Sequence, residues 1–248
     1  MKQVMVVTGG GRGIGAATAL MASRRGYAVC INYVSNVDAA ERLCAQIAGE
    51  GGEAIAVRGD MGVEADVLAL FAAVDAQLGP VTALVNNVGV LEQQCKLVEM
   101  SAERMQRVFS TNIMSAFLCA REAVRRMSTL SGGQGGGIVN LSSGAARHGG
   151  ANTYIDYAAS KGAIDVMTLG LSKEVAAEGI RVNCVRPGVT DTEIHASGGV
   201  PDRAARMAAS MPMGRVAQPE EVAETILWLL GPQSSYVSGA IMDVAGAR

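Results

Sequence analysis

Two side chains of this 248-residue sequence stand where they could move a proton. Tyr157 and Lys161 lie four positions apart in Tyr157-Ala158-Ala159-Ser160-Lys161. On a helix they share one face, one turn apart. A phenol titrates near pH ~10, so alone it is a poor base at neutrality. A nearby ammonium favours the phenolate. Lowering the phenol by roughly three units takes about 4 kcal/mol, which calls for Lys161 and a second cation acting together. The bland alternative is a surface Tyr and Lys that happen to be neighbours. Tyr154 has no such support, because Ala158 occupies the position one turn on; it lines a substrate mouth or simply packs. Upstream, Ser143 closes the strand-like run ending Leu141-Ser142-Ser143, where a hydroxyl can orient a substrate oxygen. Ser142 competes for that role, and alternation along a strand points the two opposite ways. Asn112 sits inside a long helical stretch, a poor place for a side chain that competes for backbone hydrogen bonds. Its ordinary reading is a local kink or a polar bond at a helix-packing face.

A second constellation opens the chain. The apolar run Val4–Val7 leads into Thr8-Gly9-Gly10-Gly11-Arg12-Gly13-Ile14-Gly15, and a helical segment follows. Glycines let backbone approach a phosphate closely, and a helix N-terminus offers free N–H groups and the positive end of its dipole. The position between the first strand and the first helix is what turns a glycine-rich turn into a nucleotide site. The P-loop ending Gly-Lys-Ser/Thr is absent, which speaks against a nucleoside triphosphatase.

The elements that must position these groups alternate along the chain. Short β-branched runs occur at 4–7, 28–33, 53–57, 83–86, 138–141, 181–185 and 240–244. Helical segments are expected near 13–25, 37–50, 63–78, 101–127, 156–177 and 218–230. Continuous apolar runs suit strands buried on both faces. The expected fold is therefore α/β, a doubly wound Rossmann-type parallel sheet of about seven strands with helices on both faces, in one domain over 1–248. Ser131–Gly137 is read as a surface loop. The irregular stretch near 190–213 is expected to cover a substrate, with His195, Met207, Met211 and Met213 as candidate wall residues.

Taken in order, the motifs resemble those of the short-chain dehydrogenase/reductase family, in its single-domain branch. Thr8-Gly9-x3-Gly13-x-Gly15 is similar to its cofactor loop, and Asn86-Asn87-Val88-Gly89 to its N-N-A-G with Val for Ala. Asn112, Ser143, Tyr157 and Lys161 match its catalytic tetrad. Pro187-Gly188 with Thr192 matches its P-G-x3-T, and Gly214-Arg215 and Pro219–Ala223 its C-terminal pattern. The resemblance favours Ser143 over Ser142. It implies hydride transfer between a nicotinamide cofactor and a carbonyl or secondary alcohol. Tyr157 is then the acid–base group, with Lys161 lowering its pKa beside a cationic nicotinamide and bonding the ribose. Ser143 holds the substrate oxygen. Asn112 keeps a carbonyl free for a water in a proton relay. The implied cofactor contacts are Gly9, Arg12, Gly13, Ile14, Gly15, Asp60, Met61, Asn86, Val88, Gly89, Gly188, Thr190 and Thr192, with Asp60 and the Met61 main chain at the adenine. Asp60 as a helix cap is the plainer reading.

NADP(H) is favoured over NAD(H). No Asp or Glu follows the second strand before Asp38, so the carboxylate that would hold a ribose 2′-OH is missing. Arg12 could match a 2′-phosphate, with hydrogen bonds from Asn32, Ser35 and Asn36. Val34 stands where many NADP-using members have a second basic residue. Sugars, ketones, quinones and β-ketoacyl thioesters remain open as substrates. Ala159, Ala163, Val166 and Gly170 give the Tyr157 helix a small-residue face, and the resemblance implies a D2 homotetramer.

Other classes fit poorly. The net charge is −2, with no basic excess to suggest a nucleic-acid partner. No apolar run approaches a membrane span, and Val4–Val7 is too short for a signal-peptide core. The five cysteines lack a C-x-x-C pair and read as reduced thiols in a cytoplasmic protein. His148 and His195 lie far apart, so no metal site is expected. Ser143 and His148 are near in sequence, but no G-x-S-x-G elbow exists to make a hydrolase. A non-catalytic dinucleotide-binding redox sensor is the alternative, although it could afford to lose Tyr157 or Lys161.

Overall fold

Val4, Met5, Val6 and Val7 are each at most 1 % exposed, as a strand covered on both faces requires. They belong to β1 (Gln3–Val7), the third strand of a seven-stranded sheet. The computed structural model describes residues 2–247. Along the chain the elements are β1, α1 (Gly13–Arg24), β2 (Tyr27–Tyr33), α2 (Val37–Gly49), β3 (Ala54–Arg58), α3 (Glu64–Gln77) and β4 (Ala83–Asn86). The second half adds α4 (Ala102–Phe109), α5 (Ser115–Met127), β5 (Gly136–Leu141), α6 (Ala145–His148), α7 (Ile155–Glu174) and β6 (Ile180–Pro187). Then come α8 (Ile194–Ser197), α9 (Arg203–Ala208), α10 (Pro219–Leu230) and β7 (Ile241–Val244). The strands run in the order β3-β2-β1-β4-β5-β6-β7, every neighbouring pair parallel.

Each sheet face is sealed by its own core. Leu70, Phe71, Val74, Cys119, Ala123 and Ile164, from α3, α5 and α7, pack on one face. Ala19, Ala22, Leu43, Ile47, Val222 and Ile226, from α1, α2 and α10, pack on the other. A fully buried side chain such as Phe71 or Ile226 contributes about 1.5–3 kcal/mol through area removed from water. The strand order reverses at β1, whose neighbours are β2 and β4. In sheets of this topology the crevice beyond the strand ends at that switch point takes the ligand.

One expected helix is not continuous. The stretch 101–127 is α4 and α5 joined by a π turn over Ser110–Met114, with Asn112 inside it. The local disturbance anticipated at this asparagine takes that form. π turns add a residue to a helix and recur at functional sites. The irregular stretch after β6 is also more ordered than expected. It carries α8 and α9, and a parallel bridge between Thr190 and Ala217 pins its two ends together.

Candidate active site

A cleft of about 870 Å³ runs across the strand ends, from Tyr33–Asn36 past the glycine loop to Ser143, Tyr157 and Lys161. Its first wall is built by hydrogen bonds that leave no slack. Gly9 and Gly13 have positive φ (59° and 53°), which explains glycine at both. Asn87 Nδ2 donates to the carbonyls of Thr8 and Gly9, both at 3.0 Å. Thr8 Oγ1 accepts from the N–H groups of Asn87 (3.0 Å) and Val88 (3.2 Å). Asn32 Oδ1 accepts from Gly9 N at 3.1 Å, while its amide donates to Gly59 O at 2.9 Å. A Cβ on Gly15 would sit 2.6 Å from Asn87 Nδ2 and 2.7 Å from Gly9 O. Gly15 is thus there for close packing of α1 on the loop, and it does not line the cleft.

The start of α1 has been left open. It carries no side-chain cap and no acid in its first turn. By contrast α2 has an Asn36 cap and Asp38, α3 has Glu64 and Asp66, and α10 has Glu220 and Glu221. Free N–H groups and the positive dipole end of α1 therefore face the cleft, as a phosphate-binding turn requires. Arg12 lines the same wall, is exposed, and makes no ion pair among the described residues. No acid from the end of β2 lines the cleft; Tyr33, Val34, Ser35 and Asn36 do. These residues fit a dinucleotide.

Several expected contacts take other roles. Asn32 is fully buried with its amide and carbonyl oxygen engaged, so it braces the glycine loop and has no hydrogen bond to spare for a ribose. Asn86 turns away from the cleft. Its amide donates to Asn140 Oδ1 (2.9 Å) and Ala116 O (3.2 Å), and its own Oδ1 is buried without a partner. The Met61 side chain packs into the core beneath α3, as a contact made through its main chain allows. Asp60 does line the cleft, and its Oδ1 accepts from Gly62 N at 2.9 Å; it does not cap α3, whose N-cap is Val63 with no side-chain cap. Ile14, Val88, Gly89, Gly188, Thr190 and Thr192 all line the cleft.

At the far end α7 supplies Tyr157 and Lys161 on one face, as their spacing predicts. The start of that helix is held by a buried ion pair: Arg104 Nε meets Asp156 Oδ2 at 2.7 Å, the side chains 10 % and 1 % exposed. Asp156 Oδ1 in turn accepts from Tyr157 N at 2.9 Å. Arg104 also donates to Gln93 O (2.6 Å), tying the segment after β4 to the same point. Lys161 Nζ is buried, donates to Leu141 O at 2.8 Å, and lies 5.7 Å from the Tyr157 ring centroid. Burial pushes its ammonium down to about 8, against a weaker upward pull from Cys184 and Asp165. The expected depression of the Tyr157 phenol is not a property of the protein alone. Burial pushes it above its ordinary value, while a hydrogen bond with Ser143 and the charge of Arg203 pull it down.

The two serines separate cleanly. Ser142 Oγ donates to Lys161 O at 2.9 Å, a brace between β5 and α7. Ser143 lines the cleft together with Tyr157, and its Oγ accepts from Ala145 N at 3.1 Å. Asn112 Oδ1 accepts from Val90 N (2.7 Å), and its amide donates to Val90 O (3.1 Å) and Ser160 Oγ (3.0 Å). Its side chain thus joins the π turn, the segment after β4 and α7. Tyr154 both packs and lines the cleft: it is buried against Leu91, Ala145 and Ala158, edge-on to Tyr157 at 5.8 Å.

The covering segment contributes Glu193, Ile194 and Arg203 to the cleft. Met207, Met211 and Met213 do not line it, and the His195 side chain lies outside the described residues. Asn87, Arg104 and Arg203 were not singled out from the sequence. Asn87 had a signal, the doubled asparagine after β4; Arg104 and Arg203 act through partners distant in sequence and had none.

Comparison with known proteins agrees with this geometry. Residues 9–246 match a protein family described as enoyl-(acyl carrier protein) reductase. The chain is 52 % identical over 245 residues to the uncharacterized oxidoreductase YgfF of Escherichia coli K12, covering 99 % of each. It is 39 % identical to a cis-4-hydroxycyclohexanecarboxylate dehydrogenase of Sinomonas cyclohexanicum, covering 99 % of this chain and 96 % of the relative. The crystal structure of a blue fluorescent protein from a metagenomic library, in complex with NADPH, superposes with a TM-score of 0.90 at 32 % identity, covering 99 % and 97 % of the chains. With a dinucleotide-binding fold, an all-parallel seven-stranded sheet and relatives matched end to end, the chain belongs to the short-chain dehydrogenase/reductase family of oxidoreductases acting on alcohol and carbonyl groups.

Proposed function

We propose that the protein transfers a hydride between NADP(H) and a carbonyl or secondary-alcohol substrate, with Tyr157 as the general acid–base. The observation that carries this reading is convergence. The Tyr157 phenol and Ser143 hydroxyl share one cleft with an uncapped helix start and an unpaired Arg12.

When bound, NADP(H) supplies the hydride donor or acceptor, which no side chain can provide. The Gly9–Gly13 backbone and the first turn of α1 would hold the pyrophosphate, and Arg12 the 2′-phosphate. Ser35 and Asn36 lie at the same end of the cleft, and Asp60 would meet the adenine. Val88, Gly89, Gly188, Thr190 and Thr192 would border the nicotinamide half. Ser143 orients the substrate oxygen, and Tyr157 gives or takes its proton. Lys161 holds a positive charge below the phenol and bonds the ribose. Asn112 acts as a positioning residue for the Val90 segment and α7. NADP(H) is preferred over NAD(H) because the cleft offers a 2′-phosphate a free guanidinium and no carboxylate at the end of β2; the NADPH-bound structural neighbour is consistent with that. The exposed face of α7, with Ala159, Val166 and Gly170, lies beside Phe109, Met114 and Phe117, exposed on the α4–α5 run. It suits a second copy of the chain, and a homotetramer is the assembly proposed.

The test is NADPH and NADH oxidation across a panel of ketones, aldehydes and quinones, with Tyr157→Phe alongside. Turnover should favour NADPH and fall by about 10³-fold or more in the variant, which should still bind NADPH. Undiminished turnover in Tyr157→Phe overturns the assignment.

A further inference from the structure

The cleft contains one cation that neither the cofactor nor the fold accounts for. Arg203 reaches in from α9, on the covering segment, at the end where Tyr157 stands. Its guanidinium lies 5.4 Å from the centre of the Tyr154 ring, and that ring lies 5.8 Å from the Tyr157 ring. One aromatic ring therefore separates the guanidinium from the phenol that would serve the reacting oxygen.

The other charges around it are already matched or placed elsewhere. Asp202, its chain neighbour, pairs with Arg206 at 2.6 Å. Arg147 and Asp243, which also line the cleft, pair with each other at 2.8 Å. Glu193 lies over the glycine loop, its Oε2 3.8 Å from the Cβ position of Gly13. Lys161 is spent on Leu141 O. No carboxylate of the described residues lies within ion-pairing distance of Arg203, and no backbone carbonyl accepts from its guanidinium. Its charge is felt at Tyr157, where it opposes the effect of burial. A guanidinium presented over an aromatic face keeps its planar fork free for a bidentate partner.

We propose that Arg203 is a specificity-determining residue and that the substrate is a small ketone or secondary alcohol carrying a carboxylate about one ring width from its reacting carbon. The proposal rests on the oxidoreductase reading above and names the substrate class it leaves open. A carboxylate fits a single planar fork through two parallel hydrogen bonds. A phosphate ester, with up to two charges, would call for a second free cation, and among the described residues this end of the cleft has only one.

The experiment uses a matched pair, 4-oxocyclohexanecarboxylate and its methyl ester, which differ in the charge and one methyl group. With NADPH and the full-length protein, kcat/KM for the acid should exceed that for the ester at least tenfold. Arg203→Met should lower this acid-to-ester ratio by tenfold or more, and Arg203→Lys should restore part of it. A second readout needs no turnover: calorimetric titration of cyclohexanecarboxylate, which has no carbonyl, should give a Kd weakened at least tenfold by Arg203→Met. A ratio near one in the native protein, or a ratio unmoved by Arg203→Met, overturns the proposal and leaves Arg203 as a brace for Tyr154. Ester reduced while the carboxylate fails to bind overturns it and spares the oxidoreductase reading. Carboxylate bound through Arg203 with neither ketone reduced upholds the anion site and overturns the keto-acid as the substrate class.

Discussion

The two sides of the cleft are made differently. On the side of β1 and β4, nearly every polar side chain is committed to another part of the protein: Asn32 to the glycine loop, Asn87 to Thr8 and Gly9, Ser142 to α7, Asn112 to Val90. Over the other side, the covering segment offers short helices and the uncommitted Arg203; at the cleft's far end Arg12 is uncommitted too. Committed groups set the shape of the cleft, and uncommitted ones are available to recognise what enters it. The difference predicts that substitutions on the first side change stability, while those at uncommitted cations change affinity alone.

The most severe break should come from Arg104→Met. It leaves Asp156 charged and buried without its partner, a loss of about 3–5 kcal/mol in chemical denaturation. Because Asp156 also holds Tyr157 N, turnover should fall with stability. Asn87→Ala removes two donors from the Thr8 and Gly9 carbonyls and should cost about 1–3 kcal/mol, with NADPH binding weakened in parallel. A variant that loses binding at unchanged stability would move Asn87 to the recognition group.

Lys161 sits between the two groups, and its effect has a sign that depends on pH. Its folded pKa, about 8, lies below the ordinary lysine value, so the charged form is carried at a cost. Below pH ~8 the folded and unfolded chains are both protonated and that cost is present in full. Between about 8 and 10.5 the unfolded chain binds more protons, so stability rises with pH. Lys161→Met, despite losing the bond to Leu141 O, should therefore stabilise the cofactor-free protein by about 1–2 kcal/mol at pH 7. The gain should shrink as the pH approaches 10.5, read from denaturation midpoints at each pH. Arg12→Ala should have the smallest effect on stability, within about 0.5 kcal/mol. It should still weaken NADPH about 10–100-fold while leaving NADH little changed, measured by fluorescence titration. Equal loss for both cofactors would break the assignment of Arg12 to the 2′-phosphate.

How legible each part was in the sequence follows from the range of the interaction behind it. Strands such as Val4–Val7 and the Tyr157–Lys161 pair announce themselves through local period and spacing, and both stand where expected. So do the glycine loop and Ser143, because motif order carries them. Arg104 could not be found this way, since its partner Asp156 lies 52 positions on. Arg203 gains its meaning only from Tyr154, across a fold-back of the covering segment. Asn32 and Asn86 misled for a related reason: a buried amide bridging neighbouring strands, or two strands and a helix, looks, in one dimension, like a free ligand.

The π turn between α4 and α5 acts as a phase offset. One extra residue turns everything after it by about 100° around the helix axis. The wider π turn absorbs that extra residue, so the inward-facing Arg104 and Val108 of α4 stay on the same side as Cys119 and Ala123 of α5. The offset lets one helical run point Arg104 at Asp156, Asn112 at Val90 and Cys119 into the sheet core.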